Sequence, residues 1–164
     1  MVIKRRINLV FMRFYFALFI YLYVPFNTLA KLPHAILVEN HSDVLIHWVR
    51  TGIKNAVVVN IDAHDDCNPI STQRGKKLRL LLAQNDIDAI ENANSISETG
   101  LYGIASYIAA SHALGIAKEA IWVAPKLETP GTLNKITKFK VLTYPFEKLP
   151  LLSEPVLLTV DADI

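Results

Sequence analysis

The chain contains one cysteine, Cys67, which excludes an intramolecular disulfide framework. Residues 1–30 contain no acidic side chain, and their four basic residues are Lys4, Arg5, Arg6 and Arg13. Beyond residue 30, 13 basic residues stand against 15 acidic ones, and no stripe of Arg and Lys with interleaved aromatic residues is present. The basic isoelectric point therefore belongs to the first 30 residues, and nucleic acid is not an expected partner.

Residues 1–30 have the pattern of a secretory signal peptide. A basic start is followed by the uncharged run "FYFALFIYLYVPF" and then by "NTLA", in which Thr28 and Ala30 occupy small-residue cleavage positions. The apolar run is shorter than the roughly 20 residues that a membrane span needs, and Pro25 interrupts it. We therefore expect a periplasmic or secreted protein, attached to a membrane only if the leader is not cleaved.

Beyond residue 30, short apolar runs alternate with amphipathic ones. The runs "HAILVEN", "AVVVNID", "AIWVAP", "FKVLTYP" and "PVLLTVDADI" predict strands, and their continuous apolar composition is typical of a parallel sheet covered on both faces. Apolar spacing predicts helices in "SDVLIHWVRTGI" and "KKLRLLLAQ", and a capping box of Ser95 and Glu98 predicts the start of another that Gly115 ends. We expect one α/β domain over residues 31–164, with a mostly parallel sheet flanked by helices.

Three of the predicted strands end in side chains that can bind metals. These candidate ligands are His41, Asp62, His64, Asp66, Asp161 and Asp163. The carboxyl ends of parallel strands meet at one edge of a sheet, and alternation in extended backbone places Asp62, His64 and Asp66 on one face. Oxygen and nitrogen donors without sulfur suit Mn²⁺, Zn²⁺ or Fe²⁺, and this many carboxylates favour a pair of ions about 3.5–4 Å apart.

The motifs "ENHSD", "DAHDD" and "TVDAD" resemble those of the arginase/deacetylase superfamily. The similarity is greatest to the arginase-like group that includes peptide arginases, and it covers most of residues 34–164. It implies a three-layer α/β sandwich with a pair of manganese ions. Complete members of the family continue beyond the last motif, so we expect this chain to be truncated at its C-terminus.

The resemblance also implies a role for each ligand. His41 and Asp66 would bind one Mn²⁺, and His64 and Asp163 the other. The bridging residues would be Asp62 and Asp161. Asp66 would in addition hold the attacking hydroxide, which makes it the catalytic residue, and Asn68 matches a position that contacts substrate in arginases.

The reaction implied by the resemblance is hydrolysis of an arginine side chain to ornithine and urea. Glu39 and Asn40 stand where enzymes acting on free arginine have Gly-Asp, which favours a peptide or another small guanidino substrate. Two alternatives remain open. One is a deacetylase-like amide hydrolase with a single Zn²⁺ at Asp62, His64 and Asp161, and the other is a truncated, non-catalytic metal-binding remnant.

Overall fold

The computed structural model describes residues 35–95, 97, 99–124, 130–133, 139–152 and 155–161. The leader predicted for residues 1–30 lies outside the described residues, as do Glu98 and Asp163. Within the described part of the chain, five strands form one sheet and four α-helices flank it.

The sheet has a mostly parallel arrangement. Its strands are β1 (Ala56–Ile61), β2 (Ala117–Val123), β3 (Gly131–Leu133), β4 (Lys140–Tyr144) and β5 (Val156–Val160). They lie in the order β3-β4-β2-β1-β5, with β3 antiparallel to β4 and the other pairings parallel. β1 is buried along nearly its whole length because it has a neighbour on each edge and apolar contacts on both faces. The predicted α/β fold with a mostly parallel sheet is confirmed.

The helices are α1 (Val44–Thr51), α2 (Thr72–Ala83), α3 (Ile87–Asn92) and α4 (Tyr107–Ala113). α1 buries Leu45, Trp48 and Val49, as their spacing predicts, and it ends at Gly52, whose φ of +69° favours glycine. These helices share one large core cluster with one face of the sheet. A smaller cluster on the other face contains Val57, Val59, Ile121 and Val123.

One predicted strand is wrong, and one predicted helix starts later than expected. The run predicted as the first strand has no strand structure over residues 35–40, and Leu37 is fully exposed. An apolar run becomes a strand only where a neighbouring strand pairs with it. The predicted helix is present as Tyr107–Ala113 and ends before Gly115, but it does not start at Ser95, whose N–H donates to the Tyr102 carbonyl instead.

The strand order reverses at β1. The chain passes from β1 to β2 and β4 on one side and returns with β5 on the other side. In open α/β sheets, ligands bind in the crevice outside the carboxyl ends of the strands at such a reversal. A functional site is therefore expected at the carboxyl ends of β1 and β5.

Candidate metal centre

Two acidic residues stand at the ends of these neighbouring strands. Asp62 directly follows β1, and Asp161 directly follows β5. The hydrogen-bond ladder extends to this point, since the Asp161 N–H donates to the Ile61 carbonyl over 2.9 Å. The parallel register, which runs to the pair Ile61 and Val160, therefore brings both aspartates to one edge of the sheet.

His41 reaches the same edge from a different element. It begins a 3₁₀ turn, His41–Asp43, that leads into α1. Its Nε2 lies 2.7 Å from Oδ2 of Asp161, and its Nδ1 lies 3.2 Å from Oδ2 of Asp62. One ligand atom from each of the three residues lies within 4.8 Å of the other two. One imidazole and two carboxylates at these distances form a donor set that could hold a divalent transition metal.

Asp62 is the most deeply buried member of this cluster, with 1% of its side chain exposed. Its Oδ1 accepts a hydrogen bond of 2.7 Å from the backbone N–H of His64. Its Oδ2 is buried and has no hydrogen-bond partner among the residues that the structure describes, although His41 Nδ1 lies beside it. A buried carboxylate oxygen in this state costs free energy, which a cation would offset. The residues present therefore fit a metal ion.

Asp66 brings another carboxylate to the same imidazole, with its Oδ2 3.3 Å from His41 Nδ1. Burial raises the pKa of Asp66 to about 7, and the negative charge of Asp62 adds to this, while His41 opposes it. Burial by itself lowers the pKa of His41, but its hydrogen bond to Asp66 and the charge of Asp161 outweigh burial and leave that pKa raised. The cluster therefore favours the uptake of positive charge.

The segment that carries Asp62 and Asp66 is a bent loop. β1 ends at Ile61, the next residues bend, and Asp66 has a φ of +48°. Alternation of side chains applies only to extended backbone, so the single shared face predicted for this segment is wrong. Asp62 and Asp66 nevertheless both approach His41, while Asp65 accepts a hydrogen bond from the Cys67 N–H and stabilises the turn.

The other predicted site residues lie farther out or outside the described residues. The His64 side chain is 74% exposed, and its Nδ1 lies 3.6 Å from Asp62 Oδ1. Asn68 is exposed, and its N–H donates to the Ala105 carbonyl over 2.8 Å. Asp163 lies outside the described residues. A second ion held by His64 and Asp163 therefore stays a prediction.

Two residues that the sequence did not assign to the site contact its backbone. The indole N–H of Trp122 on β2 donates to the carbonyl of Asp62 over 3.0 Å. The side-chain amide of Asn60 donates to the carbonyl of His64 over 3.2 Å. Asn60 carried a signal, because it is an amide in an otherwise apolar buried strand. Trp122 carried none, because an indole in a strand is usually a core residue.

No protein-family model matches the chain, and comparisons with curated proteins and with solved structures find no match either. None of the helices in the described ranges has the length and apolar composition to cross a membrane. The functional conclusion therefore depends on the geometry of the metal centre.

Proposed function

We propose that the chain is a metal-dependent hydrolase of arginase type, which attacks the guanidino carbon of a peptide-borne arginine and yields ornithine and urea. The observation that carries the proposal is Asp62 Oδ2, a buried oxygen that lies against His41 and has no hydrogen-bond partner in the described part of the chain. The three-layer architecture and export to the periplasm or the medium belong to the same proposal. The sequence motifs support the architecture, and the leader pattern of residues 1–30 supports export.

The residues that would hold the first divalent ion are His41, Asp62, Asp66 and Asp161. Three of them have ligand atoms within 4.8 Å of one another, and Asp66 contacts the same imidazole. His64, whose imidazole lies 3.6 Å from Asp62, would hold a second ion together with Asp163. When bound, such ions supply the Lewis acidity that makes water a nucleophile near neutral pH.

The chain's own side chains would orient the reactants. The oxygen of water adds to the guanidino carbon, the bond from that carbon to the nitrogen on the substrate side chain breaks, and this nitrogen takes up a proton and leaves as the amine. Asp66 would accept a hydrogen bond from the attacking water and so direct it. The acidic edge of the sheet attracts a cationic guanidinium group. Asn68, exposed in the same loop, would contact the peptide.

Metal binding is the first test. Protein dialysed against Mn²⁺ and analysed by inductively coupled plasma mass spectrometry should retain about two equivalents. Asp62→Asn keeps the side-chain shape, removes the charge and should lose the ions. Asp65→Asn is the matched control, since it lies in the same loop and asparagine keeps the oxygen that accepts from the Cys67 N–H. Two tightly bound ions in Asp62→Asn would contradict the proposed centre.

Urea release is the second test. The manganese-loaded protein should release urea from peptides with internal arginine and little from free arginine. Metal uptake without urea from either substrate would leave a metal-binding protein without this activity. Zinc-dependent release of acetate from acetylated substrates would favour the deacetylase alternative. The geometry gives that alternative less support, because His41, and not His64, lies against both Asp62 and Asp161.

A further inference from the structure

A buried tyrosine on α4 reaches both strands that carry the aspartates of the metal centre. The Tyr107 hydroxyl lies 3.4 Å from Oδ1 of Asn60 on β1 and 3.5 Å from Oγ1 of Thr159 on β5. Asn60 and Thr159 are partners in the parallel register. Each stands two residues before an aspartate of the centre, Asp62 on one strand and Asp161 on the other. One hydroxyl thus contacts both strands just ahead of the site.

Asn60 extends this contact to the loop that follows β1. Its Oδ1 faces the Tyr107 hydroxyl, while its Nδ2 donates to the His64 carbonyl over 3.2 Å. The amide can therefore satisfy both neighbours in one orientation. Asn60 is 1% exposed, so bulk water does not compete for either contact.

Tyr107 keeps its proton in this environment. Burial raises its pKa, the hydrogen bond to Thr159 lowers it in part, and the negative charges of Asp66 and Asp62 raise it further. The hydroxyl therefore remains a donor, and it lies within electrostatic reach of the carboxylates of the centre.

We propose that Tyr107 is a positioning residue of the metal centre, which acts through Asn60 and Thr159 to hold the ends of β1 and β5 at the spacing that lets Asp62 and Asp161 share an ion. This inference rests on the metal centre of the proposed function. β5 is an edge strand, and in the described sheet β1 is its neighbour. A side-chain contact from the helical layer therefore restrains a strand end that has a partner on one edge. Groups that hydrogen-bond directly to metal ligands typically change metal affinity by about 10–100-fold. Tyr107 contacts residues two positions before the ligands, so its effect should lie at the lower end of that range.

The ring and the hydroxyl of Tyr107 have separable roles. The ring packs against Trp48 with the two centroids 5.9 Å apart, and this contact survives removal of the hydroxyl. The two hydroxyl contacts are long for O–H···O hydrogen bonds, which have a usual distance of about 2.8 Å. Their loss should therefore have little effect on the stability of the fold.

The decisive variant is Tyr107→Phe. We expect its Kd for Mn²⁺ to rise about tenfold, while the thermal midpoint without metal stays close to that of the wild type. The visible absorption of the Co²⁺-loaded protein reports ligand geometry and should also change. Tyr144→Phe makes the same chemical change on β4, which β2 separates from β1, and should leave the Kd and the spectrum as they are.

Substitutions of Thr159 test the same contact from its other side. Thr159→Val removes the hydroxyl and should weaken Mn²⁺ binding, as Tyr107→Phe does. Thr159→Ser keeps the hydroxyl and should bind Mn²⁺ with the affinity of the wild type. Tyr107→Phe already removes the contact with Thr159, so the double variant that combines Tyr107→Phe with Thr159→Val should lose about as much affinity as Tyr107→Phe alone.

Each failure has a distinct meaning. Unchanged Mn²⁺ affinity in Tyr107→Phe overturns the positioning role and leaves the metal centre in place. A weaker affinity that is equalled by Tyr144→Phe, or that comes with a lower thermal midpoint and an unaltered Co²⁺ spectrum, makes the hydroxyl purely structural and also overturns it. Failure of the wild type to bind Mn²⁺ overturns the proposed function itself.

Discussion

Nε2 of His41 lies 2.7 Å from Oδ2 of Asp161, and the other nitrogen of the same ring lies within 3.3 Å of Asp62 and Asp66. Three carboxylates thus surround one imidazole. A protonated His41 offsets part of their charge, and a divalent ion in the same cluster would offset more of it. In the proposed centre, protons and metal ions would therefore compete for these side chains.

Metal affinity is expected to rise with pH. Asp66 has a pKa of about 7 and the pKa of His41 lies above its ordinary value, so both groups hold protons in mildly acidic solution that a metal must displace. Calorimetric titration with Mn²⁺ should therefore show tighter binding at about pH 8 than at about pH 6, with proton release at the lower pH. Asp66→Asn cannot take up the proton and should show a weaker dependence. An affinity that is constant or falls as the pH rises would count against this competition.

The backbone of Asp66 makes a separate prediction about stability. Its φ of +48° lies in the left-handed region, which asparagine tolerates and alanine disfavours. Asp66→Asn and Asp66→Ala both remove the charge, so the difference between them reports the backbone conformation together with the remaining side-chain contact with His41. We expect the alanine variant to be less stable by about 1 kcal/mol. Chemical denaturation without metal measures this difference, and equal stabilities would mean that the loop relaxes.

His64 tests whether a second ion is present. Its exposed imidazole lies near the carboxylate of Asp62 and could serve an ion on the solvent side. His64→Ala should therefore reduce bound Mn²⁺ from about two equivalents to about one, as measured by metal analysis. His47→Ala, on α1, serves as the control and should retain both ions. Two retained ions in His64→Ala would remove His64 from the ligand set.

Metal binding should also stabilise the folded chain. A metal ion at a free concentration of about one hundred times its Kd adds about 2.7 kcal/mol to the free energy of unfolding, provided that it binds only the folded state. The Mn²⁺-induced rise in thermal midpoint should disappear in Asp161→Asn. Asp88→Asn replaces an exposed aspartate in the first turn of α3 and should keep the rise. An equal rise in both variants would show that Mn²⁺ binds elsewhere.

Prediction of the fold from sequence succeeded where an apolar run pairs with a neighbouring strand in the sheet. β1, β2 and β4 are such runs, and their composition alone indicates strands in a covered parallel sheet. The run around Ile36 and Leu37 has a similar composition, but both side chains are exposed. Whether an apolar run pairs depends on neighbours supplied by distant parts of the chain, and local sequence does not contain that information.

The candidate site was also predicted correctly in part and wrongly in part. The rule that parallel strand ends meet at one edge placed Asp62 and Asp161 near each other, and they lie there. His41 was expected at the end of a strand, and it arrives instead on a 3₁₀ turn. The contact of Tyr107 with Thr159 joins α4 to β5, and no periodicity within either element indicates it.

β1 ends at Ile61 and β5 begins at Val156. These two strands, which lead into the aspartates of the candidate centre, pair although most of the described chain lies between them in sequence. Contacts this distant in sequence close a long loop and tend to form late in folding. If the proposed centre binds Mn²⁺, that binding should therefore report that β5 has paired with β1. A chain in which β5 has not yet paired with β1 would lack Asp161 at the site and should bind the ion more weakly.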